Sequence, residues 1–257
     1  MTDYLQNVEW SIPHVLAVLG GGLVGALVAT IGVVLVYGED LTLVAFVLTF
    51  LGQATGGLLV LAYLSQKVGT GSFATDFGFQ LRLRHWWGLP AGTLLQFAAA
   101  IVTAPLVQLL FPEGAPQQDV VTRIAEGSDT IFEALLILFA VGILAPVVEE
   151  LTFRGMLLSR LARSMSKWWA ITAQAVAFAG IHLLDPNSRA VLPGLFLIAF
   201  VLGYAAIRTG SLSLPIFLHA GVNLTAALLL VFGDDLLNWL DEMAGLEPAE
   251  SLLRMIF

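Results

Sequence analysis

Cysteine is absent from all 257 residues. That excludes a disulfide framework, a thiolate nucleophile, a thiolate metal site and lipid attachment through a thiol. Charge is nearly as scarce. Lys, Arg, Asp and Glu make up 12% of the chain, against about 25% in soluble globular domains. Basic residues are the rarer sign, 11 against 19 acidic for a net charge of −8, which excludes a nucleic-acid-binding domain. Histidine occurs four times. Apolar residues fill the space left, at 58% of the chain and a mean hydropathy of +0.89. The Met1-Thr2-Asp3 start carries no basic segment, and the first apolar run is too long for a secretory signal, so it reads as a retained span.

A helix needs ~20 apolar residues to cross ~30 Å of hydrocarbon. Seven runs approach or exceed that: Pro13 to Tyr37, Leu41 to Leu64, Trp86 to Phe111, Ile131 to Val148, Trp168 to Leu184, Ala190 to Ile207 and Ser211 to Phe232. Glu133 is the one formal charge inside them. The pattern predicts an all-α fold, a polytopic transmembrane helical bundle of seven spans forming a single integral membrane domain over 1–257. An eighth span exists if the tail Asp234 to Phe257 re-enters, although its six acids favour an exposed amphipathic segment. Gly21, Gly25 and Ala29 have the small-xxx-small spacing of a close helix contact. With seven spans, eight Lys and Arg fall on one side and three on the other. The positive-inside rule then puts the amino terminus in the cytoplasm and the acidic tail outside. The pairs Trp86–Trp87 and Trp168–Trp169 stand at span starts, where aromatic belts form.

Ionisable groups at membrane depth are costly and mark function. Glu149-Glu150-Leu151-Thr152-Phe153-Arg154 closes the fourth run, His182 ends the fifth, and His219 with Asn223 lies in the seventh. Residues four apart share a helix face. Glu150 and Arg154 are therefore expected to pair, leaving Glu149, rotated by ~100°, free for chemistry. His219 and Asn223 project together by the same rule. Pro146 is expected to kink the helix just before the acids. Glu149 and His182 are 33 residues apart, centred on the polar stretch 163–167. A hairpin turn there sets both side chains ~24 Å from its tip, at equal depth. His219, eight residues after Ser211, needs tilt or a helix that starts further out to come level. His14 and His85 sit at span edges and read as interfacial. Gln53, Gln96 and Gln108 read as helix–helix contacts, and the stretch Gly69 to Gly78 as a connector.

Three motifs in order resemble the CPBP family of CAAX-processing and bacteriocin-self-immunity intramembrane endopeptidases. They are Glu149-Glu150 followed by Arg154, Phe178 to His182, and His219 to Asn223, within a catalytic core expected over 131–232. The resemblance implies hydrolysis of a peptide bond in a membrane-associated, CAAX-like substrate, prenylated or not. Glu149 would be the general base, His182 its partner, and His219 and Asn223 the oxyanion donors, with Glu150, Arg154 and Phe178 in support. No cofactor is favoured. A zinc site of Glu149, His182 and His219 stays open as the alternative, since two imidazoles and a carboxylate make a catalytic zinc set. The implied partners are the lipid bilayer and a membrane-associated peptide or protein. Two other functions share these residues: a proton- or metal-coupled transporter, and a catalytically silent immunity or scaffold protein that binds a membrane peptide.

Overall fold

The structure is a computed structural model that describes residues 7–38, 43–114 and 130–244. Regular structure among them is helical throughout. The helices are α1 (Ile12–Tyr37), α2 (Leu43–Lys67), short α3 (Phe73–Phe77), α4 (Gly88–Leu110), α5 (Ile131–Ala162), α6 (Lys167–Ile181), α7 (Leu192–Thr209) and α8 (Ser213–Ala244). Six of them (α1, α2, α4, α5, α7 and α8) are long and apolar enough to cross a membrane, and the protein is a multi-pass membrane protein. Their outer faces expose Leu23, Leu27, Leu94, Ile101, Phe132 and Leu135, as lipid contact requires. Trp86, Trp87, Trp168 and Trp169 are exposed as well.

The fifth apolar run departs from the expected seven. Its helix, α6, has 15 residues, about 22 Å at 1.5 Å per residue, short of a full crossing. Proline sets the limit. Asp185, before Pro186, is extended at φ −94° and ψ 111°, as the proline ring demands of its predecessor, and one 3₁₀ turn, His182–Leu184, bridges the gap. At the other end of the chain α8 continues without a break through the acidic stretch to Ala244. The remainder of the tail lies outside the described residues.

Caps fix several helix starts. His14 Nδ1 accepts the Ser11 backbone N–H at 3.2 Å, so this histidine closes the first turn of α1. Glu133 accepts the Thr130 backbone N–H at 3.0 Å and the Thr130 hydroxyl at 2.8 Å, which makes it a capping residue. The connector after α2 is pinned by a carboxylate. Asp76 is fully buried and accepts the Thr70 N–H at 2.8 Å, the Thr70 hydroxyl at 2.7 Å and the Ser65 hydroxyl. Trp10 stacks on the neighbouring Phe77, with ring centroids 5.0 Å apart. His85, expected at the interface, is buried.

α1 packs on α2, α4 on α8, and α6 on α7. The first pairing uses the glycines singled out by spacing. A Cβ on Gly25 would collide with the Gly52 carbonyl and come within 3.1 Å of the Gly56 Cα. Gly32 has open space around it. Gly25→Ala is therefore expected to lower stability by about 1–3 kcal/mol, the usual cost of overpacking, while Gly32→Ala is neutral or stabilising. Thermal inactivation in detergent measures both, and equal behaviour would contradict the packing.

Candidate active site

α5 carries the two acids between two π-helical turns. The first, Ala140–Leu144, has the Ala145 N–H bonded to the Ala140 carbonyl, and the second, Leu151–Leu157, has the Leu158 N–H bonded to that of Phe153. Pro146 accounts for the first, because it has no N–H for the ladder. Val141's carbonyl is stranded as a result: the Ala145 N–H is spent on Ala140, and Pro146 has none to give. Asn223 fills the vacancy, its Nδ2 donating to the Val141 carbonyl at 2.9 Å. The kink expected at Pro146 is thus a widened turn, stapled to α8.

The pairing expected within α5 is present. Arg154 Nη1 donates to Glu150 Oε1 at 2.8 Å, and both side chains are fully buried. Arg154 Nη2 donates to the Ala199 carbonyl at 3.1 Å, and the guanidinium lies over the Phe178 ring, 4.8 Å from its centroid. Glu149 lies outside this pair, 28% exposed. His219 joins the two acids. Its Nδ1 is 2.8 Å from Glu150 Oε1 and its Nε2 is 3.6 Å from Glu149 Oε2. A carboxylate held by Arg154 only accepts, so Nδ1 donates its hydrogen to Glu150 and Nε2 is the ring atom that faces Glu149.

α8 reaches this level because it starts inside the protein. Ser211, Leu212 and Ser213 are fully buried, and the connector folds over them. Leu212 N–H donates to the Gly78 carbonyl at 2.9 Å, and Ser213 Oγ accepts the Arg82 N–H at 2.8 Å. Gly221 lets α8 close on α4, since a Cβ there would strike the Leu89 carbonyl.

The turn between α5 and α6 falls at the polar stretch 163–166, as the hairpin argument requires. His182 Nδ1 is 2.8 Å from the Phe178 carbonyl. A carbonyl only accepts, so this imidazole also carries its hydrogen on Nδ1 and leaves Nε2 free. Phe178 touches both rings, with centroids 5.1 Å from His182 and 5.8 Å from His219. The structure therefore gathers Glu149, Glu150, Arg154, Phe178 and His219 in direct contact. His182 attaches through Phe178, and Asn223 through the π turn.

Glu149 opens into a cavity of about 90 Å³, room for several waters. Ile181, the neighbour of His182, lines it with Val148 and Phe153. The opposite wall comes from α1 and α2, through Val18, Gly22, Phe50 and Gln53. This wall escaped the motif reading. Its signal was Gln53, an amide in an uncharged apolar run. Among the described residues no three His, Cys, Asp or Glu side chains are placed to hold a metal ion. The three groups considered for zinc do not converge as a ligand set, and no step is derived through a metal.

Residues 131–225 match the sequence model of the Rce1-like family, type II CAAX prenyl endopeptidase Rce1-like. The chain carries a domain of this family. An Escherichia coli protein described as an uncharacterized 24.3 kDa protein is 34% identical over 92 residues, which are 35% of this chain and 42% of that protein. The match spans less than half of the relative's length. No solved structure matches. The matched stretch contains every motif residue from Glu149 to Asn223. α1 and α2, which wall the cavity, lie outside it.

Two outcomes test this geometry. Glu150→Gln strands Arg154 and frees His219, a loss of about 3–5 kcal/mol for a broken buried pair. Glu149→Gln is expected to keep the melting temperature in detergent, and equal melting of the two variants would refute the division. Glu149→Cys combined with His182→Cys is expected to crosslink through a short reagent, and so is the control pair Gly57→Cys with Val148→Cys, whose side chains face each other across the cavity wall. Success of the control pair alone would separate His182 from Glu149.

Proposed function

We propose that the protein is an intramembrane endopeptidase that hydrolyses a peptide bond of a membrane-associated, CAAX-like substrate at the Glu149 cavity. One observation carries the reading: a carboxylate outside the Arg154 pair faces space for water, 3.6 Å from an imidazole that Glu150 holds in place. In this reading Glu149 takes a proton from a cavity water, and the hydroxide adds to the scissile carbonyl carbon. His182 contributes a second acceptor, its Nε2 lone pair. The oxyanion is met by the remaining Nδ2 hydrogen of Asn223 and by a protonated His219, which keeps its Nε2 hydrogen throughout the step. Glu149 then returns its proton to the departing nitrogen, the C–N bond breaks, and an acid and an amine leave. The catalytic core is assigned to 131–232 of one membrane domain, with a cytoplasmic amino terminus, since Lys67, Arg82, Arg84, Arg160, Arg163 and Lys167 fall on the amino-terminal side with six spans as with seven.

The test uses the purified full chain in detergent, a farnesylated CAAX peptide and its unprenylated counterpart. Cleavage by the wild type is expected to fall about 10²–10⁴-fold in Glu149→Gln, the usual worth of a general base. The rate is expected to survive exhaustive chelation. Activity lost on chelation and restored by stoichiometric zinc would reassign Glu149, His182 and His219 as ligands. No cleavage of either peptide would overturn the reading.

A further inference from the structure

Gln53 stands in the middle of α2, within the span Ala45–Lys67, yet its side chain lines the cavity that contains Glu149. Gln53 is exposed along that cavity, and among the described residues its amide has no hydrogen-bond partner. An unsatisfied amide at hydrocarbon depth is costly, because no lipid group bonds to it. The orientation is built in. The Gln53 stem packs over Gly22 on α1, where an added Cβ would lie 3.5 Å from Gln53 Cγ. The other polar side chain lining the cavity besides Glu149 is Thr152, and its hydroxyl already donates to the Val148 carbonyl at 2.8 Å. The remaining lining is apolar, including Leu19, Phe50, Ala54, Val148 and Ile181.

A peptide cut within the membrane must be extended at the scissile bond, which exposes backbone N–H and C=O groups that lipid does not satisfy. A primary amide donates and accepts at once, and so matches the two faces of a peptide unit. We propose that Gln53 is a substrate-binding residue that hydrogen-bonds the backbone of the peptide beside Glu149, while the apolar wall from α1 and α2 takes one apolar side chain of that peptide. This inference rests on the endopeptidase reading and adds a residue outside the Rce1-like domain.

The experiment compares wild type with Gln53→Met, which retains length and volume and removes both hydrogen bonds, on the farnesylated CAAX peptide. kcat/KM is expected to fall about 10–100-fold, mostly through KM, with an unchanged melting temperature. The same peptide is then scanned with single backbone N-methyl groups. One position is expected to be penalised in the wild type and indifferent in Gln53→Met. Binding of the peptide to Glu149→Gln, with and without Gln53→Met, gives the affinity without turnover. Cleavage that Gln53→Met leaves within about twofold of wild type, or N-methyl penalties identical in the two proteins, would overturn this inference alone. Absence of cleavage by the wild type overturns the endopeptidase reading and this inference with it.

Discussion

Glu150 accepts from Arg154 and from His219 on one oxygen, at 2.8 Å each, in a fully buried position. A carboxylate so placed is stable only while its cations and donors stay put. The contact joins α5 to α8 and, through Arg154, to the Ala199 carbonyl of α7 and the Phe178 ring of α6. Four helices are thus referenced to one oxygen atom. The same contact orients the His219 ring and turns its Nε2 toward Glu149. Only one of the adjacent glutamates joins the Arg154 pair because a helix turns them ~100° apart.

Helix α5 supplies this geometry by departing from α-helical regularity on both sides of the acids. Pro146 withholds an N–H, the turn widens, and the stranded Val141 carbonyl recruits Asn223. An amide that sequence spacing ties to His219 is thereby tied also to the kink in another helix. π turns of this kind recur at functional sites. Here the turn has a traceable cause.

The cavity is shared between two parts of the chain. The Rce1-like domain contributes Glu149, Thr152 and Ile181, whereas the facing wall belongs to α1 and α2. That wall stands close because glycines at Gly25, Gly52 and Gly56 let α1 and α2 touch backbone to backbone. The Glu149 cavity thus has one wall inside the matched domain and one outside it.

Several features were legible in the sequence because they are local. Apolar runs near 20 residues determine helices when the solvent is hydrocarbon, and four-residue spacing determines the Glu150–Arg154 pair. Helical rise across a hairpin puts Glu149 and His182 at one depth, and the turn does fall at 163–166, while the residue that lines the Glu149 cavity is Ile181, the neighbour of His182. The tertiary structure decided which imidazole meets which carboxylate. Counting residues from Ser211 left His219 unplaced, since nothing in that count reveals that the connector covers the buried start of α8. Gln53 and the Val141–Asn223 bond were equally out of reach. Each depends on two helices far apart in sequence packing face to face, and a periodicity within one helix records that it has a face without recording which partner will cover it.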